Sequence, residues 1–93
     1  MKDKKTYRLL LSGRVQGVGY RYFAEDQAAR YEIFGFVRNT YDNKVEIICQ
    51  GSQRNLELFF VSLKKGPTFA NITDFRIEKI KNSVEYKQFE IKY

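Results

Sequence analysis

The 93-residue chain contains no histidine and no tryptophan, one cysteine and one proline. Without histidine it lacks the commonest general base near neutral pH and the commonest metal ligand. The single thiol, Cys49, can neither close an internal disulfide nor build a thiolate metal site. It alternates with Val45 and Ile47, which predicts a place on the buried side of a strand. No apolar run approaches the roughly 20 residues of a membrane span. The N-terminal MKDKK is charged, with no apolar stretch of signal-peptide length behind it. The expectation is a soluble, cytoplasmic, monomeric protein. No linker, composition break or low-complexity stretch divides the chain, so residues 1–93 are expected to form one domain.

Hydrophobic residues make up 43% of the chain, enough for a packed core even at this length. The net charge of +6 favours anionic partners, whether phosphate compounds, nucleic acid or acidic surfaces, without choosing among them. Lys2, Lys4, Lys5, Lys64 and Lys65 read as solvated surface, the alternative being a basic docking patch.

Tyr7, Leu9 and Leu11 alternate with polar neighbours and predict a strand. Arg21 to Tyr31 puts Ala24, Ala28 and Tyr31 on one face of a helix. Phe36–Thr40 and Val45–Gln50, joined through Asp42 and Asn43, predict a β-hairpin. Ser52 is a suitable N-cap for a second helix with Leu56, Phe59, Phe60 and Leu63 at i, i+3, i+4 and i+7, ended by Lys64-Lys65-Gly66-Pro67. Alternation at Thr73, Phe75 and Ile77, and again at Phe89, Ile91 and Tyr93, predicts two closing strands. This order is the split βαβ, ferredoxin-like α+β plan: an antiparallel sheet with two helices on one face and an extra C-terminal strand. The plan serves enzymes, RNA binders and regulatory modules alike, so function has to be argued from sites.

The segment GRVQGVGYR, Gly13 to Arg21, joins the first strand to the first helix. Its glycines allow successive amides to turn toward one point, a nest suited to an anion, and the helix N-terminus adds to that preference. Arg21 stands where a guanidinium could clamp a phosphate already held by amides. An ordinary glycine-rich connection with a surface arginine has the same spacing. The established nucleotide loops fit poorly: no Gly-Lys-Ser/Thr follows, and after Gly17 and Gly19 the third dinucleotide position is Tyr22.

GRVQGVGYR together with GFVRN, Gly35 to Asn39, resembles the two signature segments of the acylphosphatase family, and the likeness spans the whole chain. The resemblance implies a hydrolase that splits acyl phosphates into carboxylate and inorganic phosphate, with no cofactor and no metal. It implies a phosphate cradle made by Arg14, Val15, Gln16, Gly17, Val18 and Gly19, with Arg21 binding the phosphate and Asn39 orienting the attacking water. Three positions depart from the family pattern: Asn43 and Glu32 replace glycines, and Tyr20 replaces phenylalanine. Glutamate at position 32 costs roughly 1 kcal/mol if left-handed geometry is kept there.

Neither signature segment contains a carboxylate, and only Glu25 and Asp42 lie near them in sequence. A phosphate oxygen itself is therefore expected to accept the water proton. The rival readings are a non-catalytic phosphate-binding domain and an RNA-binding module. The latter is suggested by FGFV at Phe34 to Val37, but an RNP1 motif belongs on the third strand, whereas Phe34 to Val37 are expected to precede the first strand of the hairpin and Tyr7 to Leu11 hold no matching aromatic motif, so no nucleic-acid or membrane partner is expected. Tyr20, Tyr22, Phe23 and Tyr41 are read as core or pocket wall rather than as a base-stacking platform.

Overall fold

The computed structural model describes residues 4–81 and 84–93, so Lys2 of the basic surface lies outside the described residues. Alternation along β1 (Lys4–Arg14) leaves Leu9 and Leu11 fully buried on one face and Arg8 and Leu10 half-buried on the other. There follow α1 (Tyr20–Tyr31), β2 (Phe34–Asn39), β3 (Val45–Ser52), α2 (Gln53–Lys65), β4 (Asn71–Lys79) and β5 (Phe89–Lys92). The strands form one sheet in the order β4-β1-β3-β2-β5. This is the expected ferredoxin-like α+β architecture with one strand added at the β2 edge.

Both helices pack on the face that carries Leu9, Leu11, Val37, Val45, Ile47 and Cys49, through Ala24 and Ala28 of α1 and Leu56, Phe59 and Leu63 of α2. Each fully buried leucine or phenylalanine contributes about 1.5–3 kcal/mol of transfer free energy. Cys49 is among them, and burial pushes its thiol well above the ordinary range, so it packs as a small apolar side chain. Ser52 caps α2 as expected, its side chain accepting from the Asn55 amide at 3.2 Å.

Several boundaries differ from the sequence expectation. β1 continues through Gly13 and Arg14, which pair with Ile72 and Asn71 of β4 after a register shift at Ser12/Gly13. α1 begins at Tyr20 instead of Arg21, and β2 begins at Phe34. The sheet is antiparallel at three ladders, but β2 and β5 pair in parallel, Gly35 with Phe89 through Arg38 with Lys92. After β4 the chain crosses the sheet to the far edge instead of turning back, and so β5 arrives running the same way as β2.

That crossing covers the helix-free face. The Gln50 side chain donates to the Val84 carbonyl at 2.9 Å and to Thr6 Oγ1 at 2.9 Å, and accepts from the Tyr86 amide at 3.0 Å. The Phe36 ring, which an RNA-binding surface would leave open, packs edge-on against Tyr86 and under Lys92 Nζ at 4.2 Å, and Lys4 Nζ lies 5.6 Å over Phe34. The Lys4 ammonium also pairs with Glu85 at 3.2 Å, while Lys64 sits over Phe75. Glu32 and Asn43 both adopt left-handed backbone conformations, φ 56° and 68°, as a glycine would. At the end of α1 the Ile33 amide reaches back to the Ala28 carbonyl at 2.9 Å.

Glu46 sits at the centre of the helix-free face with one carboxylate oxygen 2.5 Å from Arg8 Nε and the other 2.5 Å from Arg38 Nε. Burial alone would raise its carboxyl. The hydrogen bonds and charges of the two arginines outweigh burial and hold it below the usual glutamate range. The resulting stabilisation is present above the unfolded glutamate value of about 4.3 and is lost as pH falls through the lower folded value. Glu46→Gln is expected to cost about 1–3 kcal/mol at pH 7. It should also flatten the decline of the urea midpoint below about pH 4.3, whereas parallel pH profiles for the two proteins would contradict this role for Glu46.

Candidate active site

The segment after β1 is held at both ends by the core. Val15 and Tyr20 are each 1% exposed, and Gly17 and Gly19 between them have φ of 74° and 75° with open space around them. These left-handed values suit glycine, and side chains there would strain the loop without meeting any atom. The Tyr20 hydroxyl donates to the Leu63 carbonyl at 2.6 Å. Phenylalanine could not make this bond, and it serves one of the carbonyls in the last turn of α2 that lack an intrahelical partner. Gly19 caps α1 without any side-chain hydrogen bond, so the first amides of the helix are not taken up by a capping side chain.

Val15, Gly17, Gly19, Tyr20, Arg21, Tyr22 and Asn39 enclose a cavity of about 110 Å³. That is several times the roughly 30 Å³ occupied by one water in the liquid. Residues from both sequence segments thus meet in space, although 18 positions separate Arg21 from Asn39. Asn39 closes β2 on the same face as Val37. Its Oδ1 is buried and has no hydrogen-bond partner among the described residues. An unpaired buried carbonyl costs on the order of 1–3 kcal/mol, which a bound donor would relieve.

Of the six residues expected in the cradle, Val15, Gly17 and Gly19 line the cavity. Arg14 ends β1 opposite Asn71, and half-buried Val18 packs against the core. The Gln16 side chain turns away to the hairpin, donating to the Thr40 carbonyl at 2.9 Å and the Lys44 carbonyl at 2.7 Å. It therefore ties the loop to the base of the turn that follows Asn39. Of the aromatic residues, Tyr20 is core and Phe23 is half-buried against it. Tyr22 borders the cavity at 61% exposure, and Tyr41 is fully exposed on the turn.

Sequence reasoning missed the part played by the C-terminus. Arg21 lies with its guanidinium 4.7 Å from the Tyr93 ring centroid, and its Nη1 is 3.5 Å from the Lys92 carbonyl. The Tyr22 and Tyr93 hydroxyls lie 3.4 Å apart. The alternation Phe89, Ile91, Tyr93 was visible, but only the parallel β2–β5 pairing brings Tyr93 against Arg21 and Tyr22, two residues that line the cavity. Among the described residues no three histidine, cysteine, aspartate or glutamate side chains cluster as a metal site. No helix among them is long and apolar enough to cross a membrane.

The acylphosphatase family model matches residues 7–91. The acylphosphatase of Bacillus licheniformis is 39% identical over 87 residues, which cover 94% of this chain and 97% of that protein. The crystal structure of the acylphosphatase from Bacillus subtilis superposes with a TM-score of 0.92 at 35% identity, covering 96% of this chain and 99% of that one. An acylphosphatase structure from Coxiella burnetii gives a TM-score of 0.92 at 25% identity, over 98% of this chain and 95% of that one. A family match over residues 7–91, with relatives of near-equal length and the same fold, places the chain in the acylphosphatase family. It is accordingly an enzyme, a hydrolase of acyl phosphates.

Gln16→Ala is expected to lower stability by about 1–2 kcal/mol through its two lost hydrogen bonds. It should also raise KM by loosening the loop. An unchanged KM together with unchanged stability would show that the link from loop to hairpin is dispensable.

Proposed function

We propose that the cavity binds the phosphoryl group of the substrate, with the amides of residues 15–19 and the Arg21 guanidinium as donors, and that Asn39 holds the attacking water. The observation that carries this reading is the buried, unpaired Asn39 Oδ1 beside Arg21 in a cavity whose floor is a left-handed glycine loop. Charge-assisted bonds from backbone amides and arginine are strongest where water is excluded and the donors are fixed beforehand.

The chemistry needs little more. An acyl phosphate is an activated anhydride, so positioning and charge neutralisation carry most of the barrier lowering. Water oxygen bonds to phosphorus as the bond from phosphorus to the acyl oxygen breaks. The electron pair leaves with the carboxylate, and the water proton passes to a phosphoryl oxygen, giving inorganic phosphate. Asn39 accepts one hydrogen bond from the water through Oδ1 and so aims its lone pair. A chain with no histidine, one buried cysteine and two signature segments free of carboxylates suits a metal-free route with the substrate as its own base.

Purified protein should hydrolyse benzoyl phosphate in excess chelator. Asn39→Ala should lower kcat by about 10²–10³, by analogy with loss of an oxyanion donor, and Arg21→Ala should also weaken inhibition by inorganic phosphate. Circular dichroism checks that each variant folds. Wild-type turnover in folded Asn39→Ala would remove the water-positioning role, and activity abolished by chelator would remove the metal-free one.

A further inference from the structure

Outside the phosphate cavity, a groove of about 1090 Å³ runs along the outer face of α1 and contains none of the signature residues. Tyr22, Glu25, Asp26 and Ala29 form one wall at helical spacing, and Ile33 and Phe89 stand across from them. A shallower hollow of about 460 Å³ shares Tyr22, Glu25 and Phe89 with it and follows β5 to Tyr93. Tyr22 also borders the phosphate cavity, and so it is common to all three spaces. From Tyr22 to the end of α1 at Tyr31 the groove has roughly 13 Å of helix beside it.

The charge of these hollows is opposite to that of the chain. Lysine and arginine number 17 against 11 acidic residues, yet the two hollows are lined by Glu25, Asp26, Glu32 and Glu90 and, among the described residues, by no basic one. In-line displacement makes the acyl oxygen depart on the side of phosphorus opposite the attacking water. The acyl group therefore leaves the cavity away from the water at Asn39, and Tyr22 is the lining residue that opens onto further room.

Resting on the phosphate-binding reading above, we infer that this groove receives the acyl group, and that the enzyme favours acyl phosphates with an extended apolar chain ending in a cation. The apolar floor selects length, the exposed Tyr22 ring guides the chain out of the cavity, and the carboxylates select charge. An acyl group with a terminal carboxylate is repelled. Nothing in the groove penalises a short acyl group, which simply gains nothing from it.

The test compares kcat/KM for 8-(trimethylammonio)octanoyl phosphate, nonanedioyl monophosphate and acetyl phosphate at low ionic strength. The cationic chain is expected to exceed the anionic one by about tenfold, a preference that salt weakens as it does for exposed charges. In Glu25→Gln/Glu32→Gln the ratio between the two chains should fall toward unity. In Tyr22→Ala the cationic chain should lose ground against acetyl phosphate, chiefly through KM. If acetyl phosphate is hydrolysed but both long chains react alike, or the ratio survives in the double variant, the groove assignment is overturned and the hydrolase reading stands. If no acyl phosphate is turned over at all, both fall.

Discussion

The Tyr20 hydroxyl donates to the Leu63 carbonyl across the core, joining the first residue of α1 to the last turn of α2. Burial pushes the Tyr20 phenol above the ordinary tyrosine range, which favours the protonated form that donates this bond. With Val15 buried at the other end, this bond fixes the two ends of a loop whose interior glycines have no side chains to hold them. The amides between them keep their directions because those ends cannot move apart. Gln16 then transfers that rigidity to the hairpin behind Asn39. The candidate site is therefore an extension of the core, its loop held by packing at both ends.

Electrostatics divides the molecule into regions. Glu46 pairs with both Arg8 and Arg38 on the helix-free face, which the returning chain also covers through Gln50 and Tyr86. Arg21 is left beside the cavity, flanked by the ring of Tyr93, and no carboxylate among the described residues forms an ion pair with it. An arginine without an acidic partner keeps its donors for an anion. The carboxylates of α1 face the neighbouring groove, beyond Tyr22.

Most of the fold was legible because both signals that specify it are local. Period-two alternation marked β1, β3 and β4, and the i, i+3, i+4, i+7 stripe with Ser52 and Gly66-Pro67 marked α2. The two signature segments made Arg21 and Asn39 legible as site candidates. What stayed hidden depends on tertiary placement. The parallel pairing of β5 has no local signature, and without it neither Tyr93 beside Arg21 nor the covering of Phe36 could be foreseen. Gln16 was counted for its amide, while its side chain acts on carbonyls 24 and 28 residues away. The pairing of Glu46 with Arg8 and Arg38 had no sequence signal, because the two arginines meet it only across the sheet.

The central claim is that water held at Asn39 attacks phosphorus, with the acyl group leaving as carboxylate. Hydrolysis of benzoyl phosphate in ¹⁸O-labelled water, with both products analysed by mass spectrometry, tests it directly. The label is predicted in inorganic phosphate and absent from benzoate. Label in benzoate would mean attack at the carbonyl carbon, and the roles assigned to Asn39 and the loop would have to be abandoned.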